Sequence, residues 1–150
     1  MPELKDQQGD EKILALRKEA DAGDEDAQFT LAKQYLEGNE KKLGMKYLKL
    51  AADQGNTEAI YIYAMQYFEG KHAVAKNYKI AHEYALMRAK LGNKDCQELI
   101  GTMYYIGKGC NRDYPTAKMW LNKAASKGSE SAKKKLEYIK ATEEIGNDGL

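Results

Sequence analysis

Four glycines, Gly23, Gly55, Gly92 and Gly128, recur along the chain at separations of 32, 37 and 36 residues. Other positions keep register with them. Four residues after each glycine stand Ala27, Ala59, Cys96 and Ala132, all small. Eight after come Leu31, Tyr63, Ile100 and Leu136. Twelve after come Tyr35, Tyr67 and Tyr104, and fifteen after come Gly38, Gly70 and Gly107. Alanines precede each glycine: Ala20, then Ala51 and Ala52, then Ala89, then Ala124 and Ala125. Shared offsets at this period mark an array of supersecondary units.

Each unit reads as a pair of helices. The +4, +8, +12 and +15 positions share one face of the first helix. A small residue at +4 lets a partner helix approach, and the tyrosine at +12 fills space while its hydroxyl reaches the core edge. Glycine at +15 is expected to stop the helix in the left-handed conformation. After each closing glycine comes an N-cap residue, Asp24, Asn56, Asn93 or Ser129, and acids follow in the first turn. Asp113 before Tyr114 and Pro115 is expected to cap the second helix of the last pair.

Composition narrows the function. The chain of 150 residues is 43% hydrophobic and 31% charged, which suits one globular domain and not a disordered chain. Its formal net charge of +1 lacks the basic excess of a nucleic-acid binder. No uncharged apolar run reaches membrane-spanning length. The amino terminus, MPELKDQQGDEK, has no signal-peptide core and carries acids where a signal carries bases, so a cytoplasmic protein is expected. Cys96 near the start of a helix and Cys110 just past its end are held about 15–20 Å apart, beyond disulfide reach, and are expected to be reduced.

The stretch Ile100, Gly101, Tyr104, Gly107, Gly109, Asp113, Tyr114, Ala117, Trp120, Lys123, Ala124, Ala125 and Gly128 resembles the Sel-one-like repeat, a relative of the tetratricopeptide repeat. Similar patterns lie over Ala27–Asn56 and Ala59–Asn93, so the resemblance covers most of the chain. It implies an all-α fold: an α-solenoid of antiparallel helix pairs wound as a right-handed superhelix. Three full repeats, at 24–55, 56–92 and 93–128, are expected inside a single domain over 1–150. A leading helix at 10–22 and a capping helix at 129–145 would flank them, about eight helices in all. Repeat arrays need polar end faces, and Lys133 to Lys135 with Glu137 fit a solvated one; Asn147 to Leu150 are expected to fray. Two loops depart from the family pattern. Gly38 to Gly55 spans only 17 residues, which leaves no Gly-x-x-x-Asp loop there. In the second repeat His72 replaces the loop glycine, and Asn77 stands one residue late for the Asp.

Signals for chemistry are weak. His72 and His82 lack metal-ligand spacing, the lone Gly107-Lys108-Gly109 is part of a repeat loop, and paired acids such as Glu143 and Glu144 sit at helix ends. No catalytic residue, cofactor or metal is expected. One feature exceeds what the scaffold requires. Positions +6, +10 and +13 lie roughly 140–200° from +8 and should be polar in an exposed helix. They are Phe29, Lys33 and Leu36, then Tyr61, Met65 and Phe68, then Glu98, Thr102 and Tyr105; six of these nine are aromatic or aliphatic. In repeats of the resembled type, first helices line the concave side, so these residues would form a partner-binding stripe. A non-catalytic adaptor follows, taking a protein or peptide partner, with Lys33 and Glu98 setting specificity and the chain a monomer or weak homodimer. Some small members of the family are immunity proteins that block a toxic effector. The alternative is a β-lactam- or peptidoglycan-fragment-binding protein with weak hydrolase activity. Relatives of that kind carry a regular cysteine pair in each repeat, which this chain lacks.

Overall fold

A computed structural model describes residues 2–148, with side-chain surroundings for residues 9–146. Among the described residues the chain is all-helical. The helices are α1 (Pro2–Asp21), α2 (Glu25–Glu37), α3 (Lys41–Asp53), α4 (Thr57–Glu69), α5 (Tyr78–Lys90), α6 (Lys94–Ile106), α7 (Tyr114–Ser126) and α8 (Glu130–Asp148). They match the eight expected, and α2 pairs with α3 and α6 with α7 as the first and third repeats require. Two differ in length. The leading helix begins at Pro2 and not at residue 10, because helix-forming residues fill positions 3–8 and only Gly9 interrupts them, at a cost of about 1 kcal/mol. The last helix carries on through Asp148, so Asn147 and Asp148 are helical; Gly149 and Leu150 lie outside the described residues.

The helices gather into two compact units, residues 1–76 and 77–150. In the first, α1 packs on α2, α2 on α3 and α3 on α4. Its core is built from Leu31, Ala32, Tyr47, Leu48, Ala51, Ile60 and Ala64, with Ala27 and Ala59 at the +4 positions fully or almost fully buried. In the second, α5 packs on α6, α6 on α7 and α7 on α8. Ile100, Met103 and Leu121 fill its centre, and Cys96 and Ala132 take the +4 role.

Capping follows the expected register. The side chains of Asp24, Asn56 and Asn93 accept hydrogen bonds from the backbone N–H of Ala27, Ala59 and Cys96 at 2.7, 2.8 and 2.9 Å, and Ser129 Oγ accepts from Ala132 at 3.1 Å. Asn77, one residue late, still caps α5 through Ile80 N–H at 3.1 Å, as Asp113 caps α7 through Thr116 N–H at 3.1 Å. The short loop of the first repeat leaves α3 without a side-chain cap at Glu40. Gly70 and Gly107 end their helices left-handed, at φ 70° and 69°. Gly38 does not: at φ −91° it is extended, because the chain turns directly into α3 without the longer loop.

A glutamine at +5 adds a tie that the glycine register did not reveal. Gln28 Nε2 donates to Ala20 O at 3.0 Å, and Gln97 Nε2 donates to Ala89 O at 3.1 Å. Each side chain thus satisfies a carbonyl at the end of the preceding helix. In the first unit Gln54 extends the tie, donating to Gln28 Oε1 at 2.7 Å and to Gly23 O at 2.9 Å. Tyr47, wholly buried, places its hydroxyl on Asp21 at 2.7 Å.

His72 is the single described non-glycine residue with positive φ, at 58°. Its counterpart two residues after Gly107 is Gly109, at φ 77°. The imidazole Nδ1 contacts Gln66 Oε1, and the ring is exposed, so water can replace it there. His72→Gly removes a left-handed penalty of about 1 kcal/mol. It is expected to raise the unfolding midpoint followed by circular dichroism. A lower midpoint would mean that the Gln66 contact outweighs the backbone strain.

Candidate functional site

The nine residues of the expected stripe do not share one environment. In α2, Phe29 and Leu36 are each only 8% exposed and belong to the core, contrary to the expectation that they face outward. The reason is packing on two sides. α2 lies against both α1 and α3, and Leu36 reaches over Gly44 of α3, where an added Cβ would come within 2.7 Å of Leu36 Cγ. A position 140° from the centre of one buried face therefore falls on a second. Lys33 is exposed, with its ammonium 4.5 Å from the Phe29 ring centroid, where cation–π attraction favours it. In α4, Tyr61, Met65 and Phe68 are half-buried.

In the second unit Glu98, Thr102 and Tyr105 of α6 come together opposite α8. Glu98 lies one turn into its helix, and its side chain is 16% exposed. Its carboxylate accepts from Ser129 Oγ at 3.1 Å, Ser131 Oγ at 2.6 Å and Lys135 Nζ at 2.7 Å. Lys135 also donates to Thr102 Oγ1 at 3.0 Å, and Thr102 Oγ1 donates to Glu98 O at 2.9 Å. Burial pushes the Glu98 pKa up, but the hydrogen bonds from Lys135 and Ser131, the Lys135 charge and the Ser129 bond outweigh it and leave the carboxyl below its ordinary value. Glu98 is thus engaged within the chain and not held free to set partner specificity. Lys135 corrects a second expectation: it is not part of a solvated end face but half-buried across from α6, while Lys133 and Lys134 are exposed.

Beside this network lies a cavity of about 310 Å³. Tyr105, Leu121, Tyr138 and Ile139 give it apolar walls, and Thr102, Ser131, Lys134 and Lys135 give it a polar rim. Tyr105 is braced from behind by Tyr114, ring centroids 5.2 Å apart, and packs on the cluster of Leu121, Ala124, Ala132 and Ile139. Tyr138 is 64% exposed at the mouth. Ser131 and Tyr138 were not singled out from the sequence, and Lys134 was read only within the lysine run of a solvated end face. The signal for them is their spacing of three and four residues, which puts them on one stripe of α8 next to inward-facing Ala132, Leu136 and Ile139. A larger and more open depression, about 700 Å³, runs along one face of α5 by Lys79, His82, Leu86 and Met87. Its described lining comes almost wholly from α5.

Burial pushes the Cys96 thiol up to about 12, and burial followed by Asp113 pushes Cys110 up as well, so neither is an activated thiolate at neutral pH. Burial lowers the pKa of His82, which stacks edge-on to Tyr104 at 5.6 Å. Both cysteines are free, as their spacing predicts. Among the described residues no three acids, histidines or cysteines gather as metal ligands, and no helix is long and apolar enough to cross a membrane.

These features agree with comparisons to known proteins. The Sel1 repeat matches at residues 26–56, 57–93 and 94–129. The crystal structure of a Sel1 repeat protein from Oxalobacter formigenes is 32% identical, with TM-score 0.74; the match covers 84% of this chain and 97% of that one. Helicobacter pylori cysteine rich protein B, 22% identical with TM-score 0.61 over 82% of this chain and 90% of its own, shares the fold. No curated protein gives a significant match. Built of three such repeats, the chain belongs to the Sel1 repeat family, whose members are in general protein–protein interaction modules.

Proposed function

We propose that this chain is a non-catalytic adaptor whose partner, a peptide or a protein surface, seats in the groove between α6 and α8. The observation that carries this is the cavity of about 310 Å³ walled by Tyr105, Leu121, Tyr138 and Ile139. It falls at the lower end of ligand-site volumes, and tyrosines at such a mouth are common interface anchors. Glu98 and Lys135 support the groove by fixing α8 against α6, so the walls are organised before a partner arrives. Lys33 of α2 and Tyr61, Met65 and Phe68 of α4 are proposed as further contacts. Phe29 and Leu36, being core residues, act through packing. An immunity role is one form of this binding, in which the partner is a toxic effector, and the identity of the captured protein decides it.

The test is capture from a native lysate on the immobilised chain, quantified by mass spectrometry. Tyr138→Ala leaves the core intact because the residue is exposed. It is expected to reduce recovery of the partner by about tenfold, the scale of one aromatic anchor. Thr102→Arg, which fills the groove from α6 and gives up the bond from Lys135, should do the same, with the circular-dichroism melt lowered but the chain still folded at the assay temperature. Recovery equal to the wild type for both variants sinks the groove assignment.

A further inference from the structure

The groove's hydrogen-bonding groups are unevenly used, and this indicates what it takes. Glu98, beside the cavity, is occupied by three donors: Ser129, which caps α8, and Ser131 and Lys135 within it. Lys135 has been drawn inward to Glu98 and Thr102. Lys133, outside the cavity, is paired with Glu130 at 3.0 Å. Lys134 differs from both. It lines the cavity, it is exposed, and among the described residues it has no ion pair or hydrogen bond. Every charged side chain on the cavity wall is therefore a cation, and one of them is unneutralised. Glu137, the next acid along α8, is exposed but not part of the wall. Behind Lys134 the floor is apolar: Tyr105, Leu121 and Ile139.

We propose that the α6–α8 groove takes an acidic segment of a partner protein, which seats one large apolar side chain on Tyr105, Leu121 and Ile139 and places a carboxylate against Lys134. This rests on the groove being the partner site. The apolar side chain supplies buried area, and the carboxylate supplies orientation and selectivity, since a basic segment meets like charge at Lys134 and Lys135. The volume suits one aromatic or branched aliphatic side chain with its flanking backbone.

Three blocked hexapeptides test it: one phenylalanine between acidic residues, the same peptide with lysines for the acids, and the acidic peptide with alanine for phenylalanine. Binding is read from amide chemical shifts of the isotope-labelled chain and from titrated affinity at low and physiological salt. The acidic phenylalanine peptide is expected to move the signals of Thr102, Tyr105, Ser131 and Tyr138. It should bind at least about fivefold more tightly than either companion, and Lys134→Glu should weaken it by a similar factor. Lys134 is exposed, so the variant's fold is expected to hold, with circular dichroism as the check. Equal binding of the lysine peptide at those same signals, or no effect of Lys134→Glu, overturns the acidic occupant and leaves the groove standing. If no peptide moves those signals at millimolar concentration, the groove itself is the wrong site and the inference falls with it.

Discussion

Leu121→Ala is expected to lower the unfolding free energy of the second unit by about 3–4 kcal/mol. Leu121 is 1% exposed and joins α7 to both neighbours: it belongs to the cluster with Ala124, Ala132 and Ile139, and its Cγ lies over Gly101 of α6. Truncation removes buried apolar atoms and leaves a void that 13-residue helices tied at both ends close only in part. Gly101 gives the argument a second arm. A Cβ there would stand 2.8 Å from Leu121 Cγ and 3.1 Å from Ala117 O. Gly101→Ala gains about 1 kcal/mol of helix propensity but incurs overpacking of about 1–3 kcal/mol, so alone it destabilises. In a Leu121→Ala background the leucine branch is gone, and the added methyl enters the void. The double variant should therefore be more stable than Leu121→Ala, with a coupling of about 1 kcal/mol or more. Trp120 is the chain's one tryptophan and lies next to the altered position, so denaturant unfolding can be followed by its fluorescence. Additive effects of the two substitutions would mean that Gly101 and Leu121 do not set each other's packing.

What the sequence made legible divides along a physical line. Caps such as Asp24, Asn93 and Asp113 could be placed because an N-cap oxygen must stand at a fixed offset from the amide it accepts. Ala27, Ala59, Cys96 and Ala132 could be placed because close helix approach tolerates only small side chains, and their register repeats. Phe29 and Leu36 were misplaced because a helical projection knows one buried face, whereas α2 has a neighbour on each side. Lys135 was misplaced because three consecutive lysines carry no mark of which one meets an acid 37 residues earlier. The Gln28 and Gln97 ties went unnoticed because the second repeat has Ile60 at that offset, which breaks the pattern. Half of the groove was legible in the same way. Thr102 and Tyr105 stand out on a helix whose repeat pattern is known, but Ser131, Lys134 and Tyr138 lie on a terminal helix with no following unit to compare.

The second large effect is expected at Gly109, where Ala should cost about 2–4 kcal/mol. Two terms add. At φ +77° an L-residue carries a left-handed penalty of about 1–2 kcal/mol. A Cβ there would also stand 2.5 Å from the Tyr78 carbonyl oxygen and 2.7 Å from Met103 Cε. The methionine end can swing away, but the carbonyl belongs to the first turn of α5 and moves only if the loop or the helix start moves with it. Gly109→Asn separates the terms. Asparagine tolerates the left-handed region better than alanine yet brings the same Cβ. If Ala and Asn cost the same, the contact with Tyr78 dominates; if Asn is milder by about 1 kcal/mol, the backbone conformation does. The second repeat shows why both terms are needed. There a histidine occupies the equivalent place at φ 58°, so positive φ by itself is survivable, and the loop is one residue longer before its cap at Asn77. The shorter loop of the third repeat brings Gly109 onto the backbone of α5 and leaves room for hydrogen alone. A loss below about 1 kcal/mol for Gly109→Ala, measured by Trp120 fluorescence, would show that this loop yields and that the glycine is no constraint on the second unit.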